Sequence, residues 1–392
     1  ATTQRWDDYI RDAVPTRDTE LDCWWRQALL NTGQSESALL GFSALWLRGT
    51  ALPAVCDPVI AVWHSQCNPT PALLWQRLTL AMDRNSLRLA KTLRDAMSAA
   101  DQALADHWLA IAGDPQRLLE TGRFNFNDPR VGLILSDGLE RWGKRDVLAA
   151  AAALDTLKER DRQLAPQLAG VERWLALWIA SDYHTTALAR LAAVPDTAVD
   201  RDVREWRVRI CLRQGNWPVA LYWLDRLSAE ERDSPRWHYW RGRTLEALSR
   251  MDEAKPIYQG IANRRDYYGF LAADRLSTPY AISSTPLVIP ASDLDALLTG
   301  SPGLRRAREL YTLGRESEAD AEWQQATQGF NRQALQQAAV LAHRWDWHPQ
   351  AIATISRAEH WDNLELRFPL AYRDVVINNA RADMVDPSWV YA

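Results

Sequence analysis

The sequence predicts an all-α fold: a solenoid of stacked helical hairpins followed by a smaller helical module. Three observations carry that expectation. Apolar residues recur at helical spacing and nowhere alternate with period two over a useful length. A short polar turn, followed five residues after its turn residue by alanine, occurs at six places. The sixteen residues STPYAISSTPLVIPAS (277–292) hold Pro279, Pro286 and Pro290, which cannot be helical and read as an extended connector.

The six elbows run Gly33 to Ala38, Asn85 to Ala90, Gly215 to Ala220, Ser249 to Ala254, Gly314 to Ala319 and Asp346 to Ala351. Gly, Asn, Asp or Ser ends one helix, and the small alanine lets the next helix approach it closely. Residues 234–262 form the clearest unit. Ser234 and Pro235 supply an N-cap and a first-turn proline. Trp237, Trp240, Thr244 and Leu248 share one face, and Ala254, Ile257 and Ile261 form the facing stripe. This is tetratricopeptide-like logic: one hairpin cannot bury its apolar face alone, so neighbours stack. Beyond the connector, Ser292 is expected to cap a new helix beginning DLDALL, with helical pairs continuing to about 378.

At 392 residues the chain exceeds what one hydrophobic core serves, which fits an elongated array. A balance of 46 basic against 50 acidic residues leaves −4, with no basic face for nucleic acid. The cluster Arg236, Arg241, Arg243 and Arg250 reads as a solvated helix face. No apolar run reaches the 18 residues a membrane span needs. The 20 tryptophans fit wide gaps between stacked helices, with stacking on sugar rings as the sharper alternative. The start Ala1-Thr2-Thr3 shows neither a Met nor a leader pattern, so the chain is expected to be processed or cropped there.

Catalytic motifs do not emerge. No nucleophile elbow, phosphate loop, HExxH or dinucleotide fingerprint occurs. His184, His238 and His343 lie on helical segments without an evident nucleophile or orienting partner. The carboxylate pairs Asp7/Asp8, Glu230/Glu231 and Glu365/Asp374 fit exposed helix ends rather than the apolar pocket a general acid requires. Neither a cofactor nor a metal site is expected: His64 and Cys67 in HSQC have no completing pair. For Cys23, Cys56, Cys67 and Cys211, buried thiols and one disulfide stay equally open on the residues alone.

Three stretches resemble the soluble lytic murein transglycosylase (Slt-type) family. They are CWWRQALLNTGQSESALLGFSALWL (23–47) with AVCDPVIAVW (54–63), RRDYYGFLAADRL (264–276), and LELRFPLAYRDVV (364–376). The specific positions are Tyr267, Tyr268 and Gly269 in the second, and Arg367, Phe368, Pro369, Leu370, Ala371 and Tyr372 in the third. The resemblance implies an N-terminally shortened superhelical ring domain over 1–278, the proline-rich connector 279–290, a linker domain over 291–378, and the start of a lysozyme-like catalytic domain at 379–392. It implies that the single catalytic Glu lies beyond Ala392, so no catalytic residue is expected in this chain. It also implies a disulfide between Cys23 and Cys56.

By the same resemblance, the longer protein would cleave peptidoglycan glycan strands between N-acetylmuramic acid and N-acetylglucosamine, closing a 1,6-anhydro ring. One carboxyl would act first as acid and then as base. The present chain would be its non-catalytic, substrate-guiding part: a periplasmic monomer partnered by glycan strands and its own catalytic domain. A stand-alone tetratricopeptide-like adaptor for a protein partner accounts for the elbows equally well, but not for RFPLAY or the prolines.

Overall fold

The computed structural model describes residues 6–12, 18–67, 69–120, 122 and 124–391, and among them every regular element is helical. The chain separates into two compact units, Ala1–Ile257 and Tyr258–Ala392. The division falls inside the helix Met251–Ile261, ahead of the prolines.

The first unit packs as a succession of local cores. One spans residues 42–175, from Phe42 through Trp108 and Ile134 to Leu175. The next runs from Ala151 to Ile210, and a third gathers Val208, Leu224, Leu227 and Trp237. Each core shares helices with the one before it, as expected where every hairpin buries its stripe against its neighbours. Asp18, Thr70, Ser98, Asp128, Asp146 and Asp200 cap helices along this unit by accepting from backbone amides two or three residues on.

All six predicted elbows share one geometry. Gly33, Asn85, Gly215, Ser249, Gly314 and Asp346 have φ between 54° and 80°. In each, the N–H after the turn residue donates to the carbonyl five positions back, as Gln34 does to Leu29 (2.8 Å) and Trp347 to Ala342 (2.9 Å). The turn residue's own N–H donates three positions back, completing a Schellman motif. The six alanines that follow are fully buried. In the 234–262 unit, Ser234 accepts from the Trp237 amide, and Pro235 opens the helix Pro235–Ala247. Trp237, Thr244, Ala254 and Ile261 are buried, whereas Ile257 is half-buried beside a buried Tyr258.

Cys23 and Cys56 are joined by a disulfide that ties the helix Thr19–Asn31 to the turn before Asp57–Cys67. Cys211 is a buried thiol, and the side chain of Cys67 lies outside the described residues. Trp46, Trp108 and Trp323 are among the largest fully buried side chains, so core packing explains much of the tryptophan excess. Around Trp46 the core is unusual. The buried Arg77 guanidinium sits 4.3 Å from the ring centroid, and its Nε has no hydrogen-bond partner among the described residues.

In the second unit, residues 278–290 carry no regular structure, as the prolines require. They are nonetheless held in place. The Thr285 amide donates to the Asp362 carbonyl (2.6 Å), and the Leu364 amide to Ser284 Oγ (3.3 Å). Arg265 donates to the carbonyls of Ser283 and Trp361 (2.6 Å each) and pairs with Asp362 (2.7 Å). Leu287 and Ile289 pack on the helices that follow. The next helix is Ala291–Gly300, and Ser292 does not cap it. Pro290 occupies the cap position, so the helix starts two residues earlier than a Ser292 cap allows. The Ser292 hydroxyl instead meets the Asp293 carboxylate at 3.3 Å. The hairpins Pro302–Thr312 with Glu316–Thr327, and Arg332–Arg344 with His348–Arg357, then close a core around Trp323, which meets Trp347 and Trp345 edge-on.

Candidate functional site

The carboxylate pairs of the sequence do not converge on a reaction centre. Asp8 pairs with Arg11 on the short N-terminal helix. Glu365 and Asp374 are exposed. Glu231 is buried, but it completes a capping box with Ser228 and takes a two-pronged pair from Arg204 at 2.9 Å. Burial pushes its pKa up, yet Arg204 and the Ser228 amide outweigh that and hold the carboxyl below its ordinary range. A general acid needs the opposite. Of the histidines, His184 binds Thr186, and His238 Nδ1 lies 3.1 Å from the Ser234 carbonyl. The Nδ1 of His343 is buried without a hydrogen-bond partner among the described residues. Burial raises the Cys211 thiol to about 11, which leaves it inert as a nucleophile.

One acidic group escaped notice in the sequence. Asp137 accepts from Trp108 Nε1 (2.7 Å) and Arg141 Nε (2.8 Å), while Arg141 also reaches Asn85 Oδ1 and the Met82 carbonyl. Beside it, burial first and the Asp137 charge second push Asp83 up. Burial likewise raises Glu140, against Lys144 and with help from Asp137 and Asp83. The network joins an elbow to the helix Pro129–Gly143, so its geometry is that of a structural tie.

The stretches 264–276 and 364–376, on which the resemblance rested, lie in the second unit. Asp266 caps the helix Tyr267–Leu276 by accepting from the Gly269 amide at 2.9 Å. A Cβ at Gly269 would fall 2.2 Å from the Arg264 carbonyl oxygen, so only glycine fits there. Tyr267 is exposed and meets Tyr268 edge-on. In the third segment, Arg367 lies over the rings of Trp361 and Phe368, 5.0 Å from each centroid. Pro369 follows the short helix Leu364–Arg367, and Tyr372, at φ 53°, opens Arg373–Ala382.

This segment turns apolar side chains outward. Phe368 and Leu370 are exposed, Tyr372 is 83 % exposed, and Val375, Met384, Val385, Trp389 and Val390 follow the same pattern. Phe368, Leu370, Ile377 and Tyr391 line a shallow groove of about 630 Å3, rimmed by Arg373 and Arg381. The Tyr391 hydroxyl donates to the Ala371 carbonyl (3.0 Å), fastening the last helix across it. Exposed apolar side chains gathered about a groove in this way make a candidate surface for a partner. The first unit also exposes aromatic rings: Trp178, Tyr183 and Tyr222, the last two each covered by an arginine.

A family model for the L domain of soluble lytic murein transglycosylases matches residues 298–364. A cucumovirus coat protein model matches 27–119, a stretch that the relatives aligned over most of the chain also overlap, and it carries no separate reading. The soluble lytic murein transglycosylase of Salmonella typhimurium is 28 % identical over 382 residues, covering 95 % of this chain and 58 % of its own length. That of Escherichia coli K12 is 28 % identical over 363 residues, covering 91 % and 55 %. Among solved structures, lytic transglycosylase Slt from Pseudomonas aeruginosa superposes with a TM-score of 0.71 at 30 % identity, covering all of this chain and 64 % of that one. The 70 kDa soluble lytic transglycosylase of Escherichia coli superposes at 0.72 and 24 % identity, covering 100 % and 63 %, which speaks to fold alone. The chain thus spans somewhat over half the length of the curated relatives it matches.

Proposed function

From its homology to the soluble lytic murein transglycosylases, we propose that this chain is the helical, non-catalytic part of a peptidoglycan lytic transglycosylase. The whole protein would cleave between N-acetylmuramic acid and N-acetylglucosamine and leave 1,6-anhydro-muropeptides. The observation that carries this reading is the transglycosylase alignment over 95 % of the chain. Residues 1–278 would be the superhelical domain and 291–378 the linker domain, within which the L-domain match falls. The apolar face around Phe368, Leu370 and Tyr372 would receive the catalytic domain, with 379–392 leading into it. The fully buried Cys23–Cys56 disulfide suits an oxidising periplasm. No helix among the described residues is long and apolar enough to cross a membrane.

The test is incubation of the purified chain with peptidoglycan sacculi. The chain should sediment with them and release no anhydro-muropeptides. Release would place the catalytic group within these residues and defeat the assignment. Failure to sediment, together with capture of a defined protein partner, would favour the adaptor reading.

A further inference from the structure

The second unit carries a polar groove that the apolar face does not explain. The helices Glu316–Thr327 and His348–Arg357 stand apart and enclose about 560 Å3. Its floor is tied by Trp323 Nε1, which donates to Thr354 Oγ1 at 3.0 Å. One end is closed by Arg357, which donates to the Thr327 hydroxyl (2.8 Å) and carbonyl (2.9 Å). Ala321 and Ala353 leave the space open, and Gln324, Gln325, Gln328 and Gln350 line it with carboxamides.

Gln350 is the telling residue. It is only 9 % exposed, yet its carboxamide has no hydrogen-bond partner among the described residues. Its amide atoms are not sealed from solvent but open into the groove, where they stand available to a ligand. A bound ligand with its own donor and acceptor would pair with them.

We propose that this groove binds an extended peptide bearing a carboxylate, which under the transglycosylase reading is the peptide of the wall rather than its glycan. Each carboxamide presents an acceptor beside two donors, the complement of a backbone amide. Gln324 and Gln328 are four residues apart, about 6 Å of helical rise. The two-residue repeat of an extended chain is about 6.6–6.8 Å. That row therefore runs close to the spacing of successive same-side amides of one strand, with Gln350 facing it from the other helix. Arg357 retains N–H groups beyond those spent on Thr327, which suits a carboxylate. No aromatic ring lines the groove to stack on a sugar, and no carboxylate lines it to repel an anion.

The test titrates the full chain by calorimetry with two probes: a sugar-free wall tetrapeptide and a peptide-free N-acetylglucosamine tetramer. The tetrapeptide should bind. Gln350→Leu should weaken it about tenfold, as loss of one desolvated polar partner does. The exposed double variant Gln324→Ala/Gln328→Ala, which leaves the core untouched, should weaken it by several-fold. Gln333→Ala, away from the groove, should leave it unchanged. Absence of tetrapeptide binding, binding insensitive to both groove variants, or displacement of the tetrapeptide by the sugar tetramer overturns the assignment. Sedimentation with sacculi that persists without tetrapeptide binding sinks the groove alone. Loss of sedimentation in the unaltered chain sinks the transglycosylase reading.

Discussion

Replacing Gly314 by alanine isolates the conformational cost of an elbow. Gly314 holds φ 72°, and a Cβ built there meets nothing within 4 Å, so packing does not enter. The left-handed conformation costs an L-residue roughly 1–2 kcal/mol. Stiffening of the unfolded chain returns about 0.4–1 kcal/mol. The net expectation is a loss of about 1 kcal/mol. Asp346 turns the sister elbow at φ 56° with a side chain. Asp346→Gly removes the left-handed penalty but loosens the unfolded chain, and Asp tolerates this region better than most residues. A gain of about 0.5 kcal/mol follows. Both sites lie in the second unit, so urea denaturation of the full chain, with the slope held constant, compares them directly. A Gly314→Ala variant as stable as the original, or an Asp346→Gly variant that is weaker, would refute the claim that backbone handedness selects these residues. Ala319→Leu tests the other half of the device: overpacking a fully buried contact should cost about 1–3 kcal/mol.

Three further outcomes are expected. Changing Cys23 and Cys56 together to serine opens a loop of sequence separation 33 and should lower stability of the first unit by about 3–4 kcal/mol on the chain-entropy model, measured by denaturation with and without reductant. Burial first, and the Arg77 charge second, lower the pKa of His64. Above about pH 6.5 the imidazole is neutral in both folded and unfolded chains. Below it the unfolded chain takes up the proton first, so stability should fall from pH 7.5 to 5.5. His64→Gln should flatten that fall, and an unchanged slope would discard His64 as its source. Elastase should cut the chain first near Val288, which is 94 % exposed, and not at 283–285, where backbone contacts hold the strand; trypsin has no site between Arg275 and Arg305.

The helical array was legible because its devices are local. A turn residue that accepts positive φ and an alanine five positions on sit within one short window, and all six such windows fold alike. Four further positions with the same five-back hydrogen bond were invisible: Tyr183, Ser277, Glu359 and Met384. Tyr, Glu and Met do not favour a left-handed turn, and at all four, Ser277 included, Leu188, Ile282, Leu364 and Trp389 stand where alanine would be. Tertiary context alone imposes the conformation there. The Ser292 cap failed for a related reason, since Pro290, two positions earlier, already occupies the cap.

RFPLAY carried a resemblance in the sequence, but its exposure was not legible there. Only the fold turns Phe368, Leu370 and Tyr372 to solvent. The raised Asp83 and Glu140 depend on Asp137 from another helix in one case and on burial in both, so no sequence window contains their cause. The groove at Gln350 is the extreme case. Four glutamines on two helices of an ordinary hairpin array look like solvated polar faces. Sequence by itself determined that these residues form stacked helices, because helix periodicity and turn chemistry act over a few residues. Tertiary structure alone decided which polar and apolar side chains were left without partners, because that depends on how far apart two helices stand.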